Sequence, residues 1–475
     1  MRGTRRSTLG SLLLATVVMA SLALAPATVA ARPVAGRTVT KQTLAPGLVL
    51  KRIVDPSGPN RIYALVVDPS QPLTIDVATA AGAMGNYARP SAIGTAHQAL
   101  AAINGDFSID PGRPLHPFAE DGTLRQLGLT NGASFSISHD ETAEYIGAQG
   151  VNVAGRNLDT KAKFGVSEFN TGDPAGSSIV GYTSYGGSAE HPPRNACSLR
   201  MKTYGKLHWS ANNRGVSRDY VVDRIRCSAK VLRVQPGTVV LSSGLKGLGA
   251  RALQSMKRLE TIRLTWSFGW TGVMDAVGGM PLLVDNGKAV APSKCNSYFC
   301  SKNPRTGIGV TADGTVLLVV VDGRSRSAVG MTLSGFAHEM VSLGAVYAVN
   351  LDGGGGSAMW VQGQGIVSHP SDRSGERPVT NAVLVLPGAD PGEVDPSPYV
   401  KRPLLGGAHL GATAPSGFGA IVSALQARRA MDASLGDPGS TGGLMAAMAS
   451  GAFGDIGPEP PSFLRMARSF HARFR

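Results

Sequence analysis

The residues best suited to chemistry lie in one short segment, residues 350–357, which reads Asn-Leu-Asp-Gly-Gly-Gly-Gly-Ser. It follows an apolar run at 345–349 that is typical of a buried strand. Glycine lets backbone N–H groups approach a ligand closely, which suits the binding of a phosphate or another anion. A flexible turn capped by Asp352 is the simpler interpretation of the glycines alone. A second acidic site in matching context favours the chemical interpretation.

That second site is Asp322-Gly323-Arg324, which follows a continuous run of strand length at 315–321. Between the two sites, apolar residues recur at helical spacing from 331 to 343, so the order is strand, helix, strand. The strands of such a unit are usually parallel neighbours, whose ends meet at the edge of the sheet where open α/β sheets bind ligands. We therefore predict an α/β or α+β fold with a mixed sheet and crossover helices.

Six short segments combine glycine with polar or charged residues. In order they are Asn-Gly-Asp-Phe at 104–107, Gly-Gly-Met-Pro-Leu-Leu at 278–283, Asn-Pro-Arg-Thr-Gly-Ile-Gly at 303–309, Val-Val-Val-Asp-Gly-Arg at 319–324, Asn-Leu-Asp-Gly-Gly-Gly at 350–355 and Gly-Glu-Arg-Pro-Val-Thr-Asn-Ala at 375–382. In this order they resemble the successive motifs of the phosphodiester glycosidase family. The resemblance covers about residues 95–387 and implies a hydrolase that breaks the glycosidic bond of a sugar-1-phosphodiester. Gly356 stands where the family usually has a hydroxyl residue.

A phosphate leaving group is more acidic than an alcohol, so its departure needs charge stabilisation more than proton donation. Asp352 is the candidate base or nucleophile, with Glu376 or Asp322 as its carboxylate partner. The predicted substrate-binding residues are Asn104, Asp106, Arg305, Thr306, Arg324, Asn350, Gly353, Gly354, Gly355, Ser357 and Arg377. The aspartates could instead cap loops, and Arg305 or Arg377 could belong to buried ion pairs.

The histidines add one candidate. His369 precedes Glu376 in the sequence Ser-His-Pro-Ser-Asp and could reach the site. His338, on the predicted helix, is expected to be a surface or packing residue, and His116 a loop residue. A Ser-His-Asp triad is a poor fit, since no Gly-x-Ser-x-Gly elbow is present.

Two other functions remain open. The first is a non-catalytic glycan-binding cell-wall protein on the same fold, for which Gly356 is the one supporting feature. The second is a metal-assisted phosphodiesterase that cuts the P–O bond, for which clustered Asp and His ligands would be expected. We predict no metal site and leave the cofactor open.

Composition indicates export. The first thirty residues carry a basic start, an apolar core at 12–24 and a small-residue cleavage site, as in a signal peptide. The mature chain is expected to be secreted or extracytoplasmic, without a transmembrane anchor. Its formal charge of +14 for the full chain suits an anionic glycan or sugar-phosphodiester partner. Nucleic acid is not predicted, because no zinc-finger or RNP pattern accompanies the charge.

Four regions follow: a signal peptide at 1–30, a strand-rich N-terminal region at 31–94, the glycosidase-like domain at 95–387 and a disordered, low-complexity tail at 388–475. The tail ends in a basic, aromatic stretch after Phe463, either a solvated tail or an anchor to an anionic surface. The four cysteines are expected to form Cys197–Cys227 and Cys295–Cys300, although three connectivities are possible. Zinc binding is disfavoured by their spacing.

Overall fold

A computed structural model describes residues 36–388, apart from 110, 129–131, 139–143, 149, 210–214, 271 and 294–296. The predicted signal peptide and all but the first residue of the predicted tail lie outside these residues. Three α-helices occur in the described part: α1 (Pro90–Ala96), α2 (Leu248–Gln254) and α3 (Leu333–Ser342). None of the helices described is long and apolar enough to cross a bilayer.

Strands make up most of the described chain. The first eleven are β1 (Thr38–Ala45), β2 (Leu48–Asp55), β3 (Asn60–Val67), β4 (Leu73–Thr79), β5 (Ala101–Asn104), β6 (Ser108–Ile109), β7 (Arg113–Pro114), β8 (Phe118–Glu120), β9 (Thr123–Gln126), β10 (Ala133–Ser138) and β11 (Glu144–Ala148). The next eight are β12 (Asn152–Asn157), β13 (Lys163–Val166), β14 (Glu168–Phe169), β15 (Val180–Tyr182), β16 (Ala196–Trp209), β17 (Gly215–Ser228), β18 (Thr238–Gly244) and β19 (Thr261–Ser267). The last nine are β20 (Val273–Gly279), β21 (Leu282–Asp285), β22 (Lys288–Ala289), β23 (Arg305–Thr311), β24 (Val316–Val321), β25 (Ala345–Asn350), β26 (Met359–Val361), β27 (Gly365–Ile366) and β28 (Asn381–Pro387).

These strands form four large sheets and one two-stranded ribbon, β6–β7. The first sheet has the order β1-β2-β3-β24-β23-β25-β21-β22, and the second has the order β13-β12-β19-β17-β16-β18-β15-β14. The third is β27-β26-β5-β28-β4, and the fourth is β11-β10-β20-β8-β9. The strand pairings described are antiparallel, except that of β14 with β15.

The predicted α/β or α+β fold, with a mixed sheet and crossover helices, is therefore wrong. The apolar run at 315–321 misled the prediction because continuous runs are typical of buried parallel strands. Here the strand is antiparallel to both of its neighbours but covered on both faces. Val316, Leu318 and Val320 lie in one hydrophobic core, while Leu317, Val319 and Val321 lie in another. Because both faces of β24 are buried, its residues do not alternate between apolar and polar, although its pairing is antiparallel.

The helix α3 does connect β24 to β25, as the sequence predicts. However, β23 lies between these two strands and is antiparallel to each of them. Consequently β24 and β25 point in the same direction without being neighbours. Their ends still share one edge of the first sheet. The prediction of a shared edge is confirmed, and the prediction of neighbouring strands is wrong.

The N-terminal strands complete sheets of the predicted glycosidase-like domain. β3 pairs with β24 along its length, and β4 pairs with β28 from Thr79–Asn381 to Leu73–Pro387. β28 also pairs with β5, which places the end of β5 beside the start of β28. Asn104 therefore lies next to the segment that follows Glu376.

The second sheet is built from one continuous stretch of the chain, residues 152–267, and has its own hydrophobic core. The predicted Cys197–Cys227 disulfide is confirmed and joins directly opposed residues of β16 and β17. Cys300 is also disulfide-bonded. Its predicted partner, Cys295, lies outside the described residues.

Candidate active site

Three chain segments meet at one edge of the first sheet: the ends of β24 and β25 and the start of β23. The backbone N–H of Leu351 donates to the carbonyl oxygen of Thr306 at 2.8 Å. The N–H of Gly354 donates to the carbonyl oxygen of Pro304 at 2.9 Å. Because β23 runs opposite to β24 and β25, its first residues lie beside their last ones. The edge thus brings together the segments that contain Asp322, Arg324 and Asp352.

Asp322 forms hydrogen bonds with His369, the additional candidate from the sequence. Its Oδ1 accepts the backbone N–H of His369 at 2.8 Å, and its Oδ2 lies 2.9 Å from Nδ1 of the same residue. The Tyr63 hydroxyl lies 3.0 Å from this Nδ1 and 3.3 Å from Oδ2. The Asp322 side chain is buried, whereas that of His369 is 64 % exposed. A buried carboxylate therefore orients an exposed imidazole.

The electrostatics of this pair follow from the burial of Asp322. Burial raises the pKa of the Asp322 carboxyl, and the hydrogen bonds and charge of His369 oppose the rise. Burial and the nearby Asp322 charge raise the pKa of the Tyr63 hydroxyl. Tyr63 therefore stays a neutral hydrogen-bond donor at physiological pH.

Arg324 supplies an exposed cation at the same edge. Its backbone has a φ of 61°, in the left-handed region that few residues other than glycine adopt. Its guanidinium donates to the Tyr298 hydroxyl at 2.8 Å and to Asn303 Oδ1 at 3.2 Å, and lies 5.9 Å from the centre of the Tyr298 ring. A Cβ added to Gly354 would lie 2.9 Å from Arg324 Nη2. The guanidinium is thus fixed against the glycine turn.

A second arginine flanks this turn. Arg377 donates from Nε to Asp372 Oδ2 at 2.7 Å, and both side chains are partly exposed. A Cβ at Gly355 would overlap Asp372 and Arg377. Arg324 also reaches this segment, because its Nη1 lies 3.4 Å from Ser371 Oγ. Arg324 therefore lies close to Gly354 and Arg377 close to Gly355, and a side chain at either glycine position would collide with its neighbouring arginine.

Asp352 lies at the start of the same turn. Its Oδ1 accepts the N–H of Gly353 at 2.9 Å, and a Cβ at Gly356 would lie 2.8 Å from its Oδ2. Glycine at 356 thus leaves room for the carboxylate of Asp352. The hydroxyl of Ser357, one residue later, is buried and has no hydrogen-bond partner among the described residues. Any role for that hydroxyl remains a prediction.

Asn104 and its neighbours fix the backbone of this turn. Asn104 donates from Nδ2 to the carbonyl oxygen of Asp352 at 2.6 Å. Its Oδ1 accepts the Thr306 hydroxyl at 2.8 Å and the N–H of Ala358 at 3.1 Å. Asn350 donates from Nδ2 to the carbonyl oxygen of Met280 at 2.6 Å. These buried amides hold β5, β23 and the turn in register.

Glu376 and Arg305, two further candidates, make the hydrogen bonds described for them with other residues of the protein framework. Glu376 accepts the backbone N–H of Ser91 at 2.6 Å and its hydroxyl at 2.5 Å, in the first turn of α1. Arg305 is buried and donates to the carbonyl oxygens of Phe299, Ser301 and Met331.

Asp106, also buried, bonds His116 rather than the glycine turn. It accepts the backbone N–H of His116 at 2.8 Å and lies 2.7 Å from its Nδ1. From the sequence, His116 is expected only to be a loop residue. Its partner Asp106 lies ten residues away across the β6–β7 ribbon, so no spacing rule would have found it.

Within the part of the chain that the structure describes, no three His, Cys, Asp or Glu side chains are grouped as they would be around a metal ion. The described site instead combines two hydrogen-bonded pairs, Asp322 with His369 and Asp372 with Arg377, with the side chains of Arg324 and Asp352. Asp322, His369, Arg324, Arg377, Asp372 and Asp352 all belong to segments that border the glycine turn or the adjoining sheet edge.

Comparisons with known proteins agree with the motifs. Residues 213–386 match the model of the phosphodiester glycosidase family, which confirms the resemblance found in the sequence. The matched part contains Asp322, Asp352 and His369 but not Asn104 or Asp106. At a coarse level, the match supports a glycosidase-type hydrolase.

Three known proteins are similar to this chain in sequence or in fold. An uncharacterized SPbeta prophage-derived protein of Bacillus subtilis, YomE, is 42 % identical over 63 residues, which are 13 % of this chain and 10 % of that protein. A hypothetical protein from Synechocystis has a TM-score of 0.58 and 19 % identity, covering 73 % of this chain and 63 % of its own. A putative exported protein from Burkholderia pseudomallei has a TM-score of 0.51 and 22 % identity, covering 70 % of this chain and 74 % of its own. The chain thus spans a tenth of the length of YomE and under two thirds of the Synechocystis protein. The structures of the Synechocystis and Burkholderia proteins show that this chain shares their fold.

Proposed function

We propose that this chain, whose residues 213–386 match the phosphodiester glycosidase family, is an exported hydrolase that cleaves the glycosidic bond of a sugar-1-phosphodiester in a glycan or cell-wall polymer. The observation that carries the proposal is the convergence of two arginines on one glycine turn beside Asp352. The Cys197–Cys227 disulfide supports export, because such bonds persist in oxidising compartments.

The phosphate group is assigned to the glycine turn. Arg324 and Arg377 border Gly354 and Gly355, so the phosphate oxygens would meet two guanidinium groups and bare backbone. A guanidinium presents paired N–H donors that match two oxygens of a phosphate. Both arginines are already held by neighbours, Tyr298 and Asp372 respectively, and little reorganisation is needed on binding. The negative charge that develops on the leaving phosphate is thereby stabilised.

The sugar carbon is assigned to Asp352 and His369. Asp352 acts either as the base that takes a proton from the attacking water or as the nucleophile that bonds the anomeric carbon until water displaces it. In the overall reaction, water oxygen becomes bonded to that carbon, and the C–O bond to phosphate breaks with its electron pair going to the phosphate. His369, oriented by Asp322, exchanges a proton with the water or the substrate. The partly exposed positions of both side chains support this assignment.

Asp352→Asn tests the proposal, because it keeps the size and the hydrogen-bonding ability of the side chain but removes its charge. Turnover of a small sugar-1-phosphodiester should fall by roughly two to four orders of magnitude, with binding largely kept. Reaction in ¹⁸O-labelled water should place the label in the sugar. Label in the phosphate would instead identify a phosphodiesterase. Wild-type protein that binds the compound without releasing product would identify a glycan-binding protein.

A further inference from the structure

The positive charge of the chain is concentrated in the second sheet. Residues 151–270 contain 18 Lys and Arg against 7 Asp and Glu, a net charge of +11 out of +14 for the whole chain. The catalytic candidates lie outside this stretch. The charge therefore belongs to a part of the protein that the proposed reaction does not use.

Strand register places several of these cations on one face. In β12, Val153 is buried in the core of the second sheet, so the alternating residue Arg156 faces outward. Arg156 is directly opposite Arg263 of β19 on one side and Lys163 of β13 on the other. On the far side of β17, Arg200 of β16 is directly opposite Arg224. We call the outward side of β12, β13, β16, β17 and β19 the basic face.

In each of these three pairs, two cations thus lie directly opposite each other on neighbouring strands. Directly opposed side chains have Cβ atoms only about 5 Å apart, and like charges in such pairs destabilise a sheet. The acids of the face compensate for part of this charge. Asp219 bonds Arg263 at 2.7 Å, and Asp223 bonds Arg200 at 2.5 Å. Arg156, Lys163 and Arg224 are exposed, and their opposed neighbours are cations.

A cleft adjoins one end of this face. It has a volume of about 450 Å³ and is lined by Asp223, Arg224, Ile225 and Arg258. Lys202, two residues after Arg200 along β16, is 65 % exposed and lies 3.7 Å from Asp223. The cations therefore form a band across the sheet rather than one compact pocket. A polymer with repeating negative charges requires such a band.

We propose that the basic face binds an anionic glycan polymer whose charges are phosphodiester groups, at a surface separate from the glycine turn. The existence of the surface stands on the charge pattern, whereas the identity of the polymer rests on the proposed function. Such a surface retains the polymer while the glycine turn acts on one linkage. The opposed cations, which cost stability in the free protein, become favourable when anions lie between them.

The chemistry of the face favours a glycan over a nucleic acid. Single strands of nucleic acid bind by stacking bases on aromatic side chains. The outward residues of β12 are Asn152, Ala154 and Arg156, and those of β19 are Thr261, Arg263, Thr265 and Ser267. None of these is aromatic, so these two strands offer charge and hydroxyl groups without a stacking platform. In β16, Tyr204 is 62 % exposed on the basic face, but it lies directly opposite the acid Asp219. A single ring beside a carboxylate does not provide the succession of aromatic side chains on which consecutive bases stack.

A double variant tests the proposal. Arg156→Thr with Arg224→Thr removes all three opposed pairs with two substitutions, and threonine suits an exposed strand. The matched control is Lys41→Thr with Lys51→Thr, which removes one opposed pair from β1 and β2 of the first sheet. Binding to poly(glycerol phosphate) is measured against salt concentration for both variants and the wild type.

We expect the Arg156/Arg224 variant to bind this polymer at least about tenfold more weakly, with the slope of log Kd against log salt reduced by roughly one to two. The polymer should also raise the Tm of the wild type more than that of this variant. Turnover of a small sugar-1-phosphodiester should be unchanged. Asp352→Asn should show the opposite pattern, with binding kept and turnover lost, so the two proposals fail separately.

Three results would overturn the inference. The first is equal polymer binding by the Arg156/Arg224 variant and the wild type. The second is an equal loss in the Lys41/Lys51 control, which would mean that total charge alone sets the binding. The third is tighter binding of single-stranded DNA of the same charge, or of phosphatidylglycerol vesicles, than of poly(glycerol phosphate).

Discussion

Two aspartate–histidine pairs in this molecule share one geometry and differ in exposure. Asp322 accepts the backbone N–H of His369 and lies 2.9 Å from its Nδ1; Asp106 does the same with His116, at 2.7 Å. The His369 side chain is 64 % exposed, whereas that of His116 is only 1 % exposed. The first pair stands at the sheet edge with two arginines, and the second lies inside the protein.

The surroundings of each pair explain the difference. The ring of His116 packs edge-on against Phe107 at 6.2 Å, and a Cβ at Gly278 would overlap it. No substrate can reach a side chain enclosed in this way. The same hydrogen bonds therefore fix a loop in one place and orient an exposed imidazole in the other. Exposure, and not the hydrogen bond, separates a catalytic candidate from a structural residue.

The largest expected effect concerns the exposed pair. His369→Ala should lower kcat/KM by roughly two to three orders of magnitude, because it removes a general acid–base group, while the Tm stays near that of the wild type. Steady-state kinetics and thermal unfolding measure the two. His338→Ala, on the exposed side of α3, is the matched control and should change neither. Near-normal kcat/KM for His369→Ala would remove the distinction between the pairs.

The buried pair should show the reverse behaviour. His116→Ala should lower the free energy of unfolding by about 1–3 kcal/mol, because it leaves Asp106 a buried acceptor without its imidazole partner. Denaturant unfolding measures the loss, and the folded fraction should keep its kcat/KM within a few-fold. A large loss of turnover in fully folded His116→Ala protein would contradict the comparison.

A substitution at Arg324 should have a smaller effect on the kinetics than the loss of His369. Arg324→Lys keeps the charge but loses the paired N–H donors, so KM for a sugar-1-phosphodiester should rise by about tenfold with kcat less affected. The kinetic constants of this variant should thus differ in kind from those of His369→Ala. An unchanged KM would show that the phosphate does not bind beside the glycine turn.

The pH dependence of stability gives the smallest effect. Because burial raises the pKa of Asp322 above its ordinary value of 3.8, the folded protein binds this proton more readily than the unfolded chain does. The contribution of Asp322 to stability is therefore fully present below pH 3.8 and is lost as the pH rises through the raised pKa. Urea unfolding across this range should show a fall for the wild type that Asp322→Asn lacks. Parallel profiles for both proteins would contradict the assignment.

The sequence could predict that Asp322, Arg324 and Asp352 lie at one edge of a sheet but could not predict the fold, for a physical reason. Asp322, Arg324 and Asp352 each follow a strand directly, and the direction of β24 and β25 alone brings them to one edge. The strand between them, β23, comes from a segment earlier in the chain, and its position leaves no local signal. Hydrophobic runs report burial, and burial on both faces occurs in parallel and antiparallel sheets alike.

Glu376 and Arg305 show what a sequence motif cannot distinguish. Glu376 bonds Ser91, which lies 285 residues earlier, at the N-terminal turn of α1, where a carboxylate is stabilised by the helix dipole. Arg305 bonds carbonyl oxygens of a nearby loop. A motif identifies residues that matter together, but their long-range partners decide whether they contact a substrate or hold the scaffold. Catalysis by Glu376 remains a prediction.

The position of β28 has a consequence for the order of folding. β28 lies between β4 and β5 in the third sheet, although about three hundred residues separate it from them in the chain. The third sheet therefore cannot close until the last described strand has left the ribosome, and Asn104 cannot reach the turn at Asp352 before then. A chain that is exported before folding meets this requirement at once, since all its strands become available together on the far side of the membrane. Pairings of such long range make folding slow, because the loop between the paired strands must close before their contacts form.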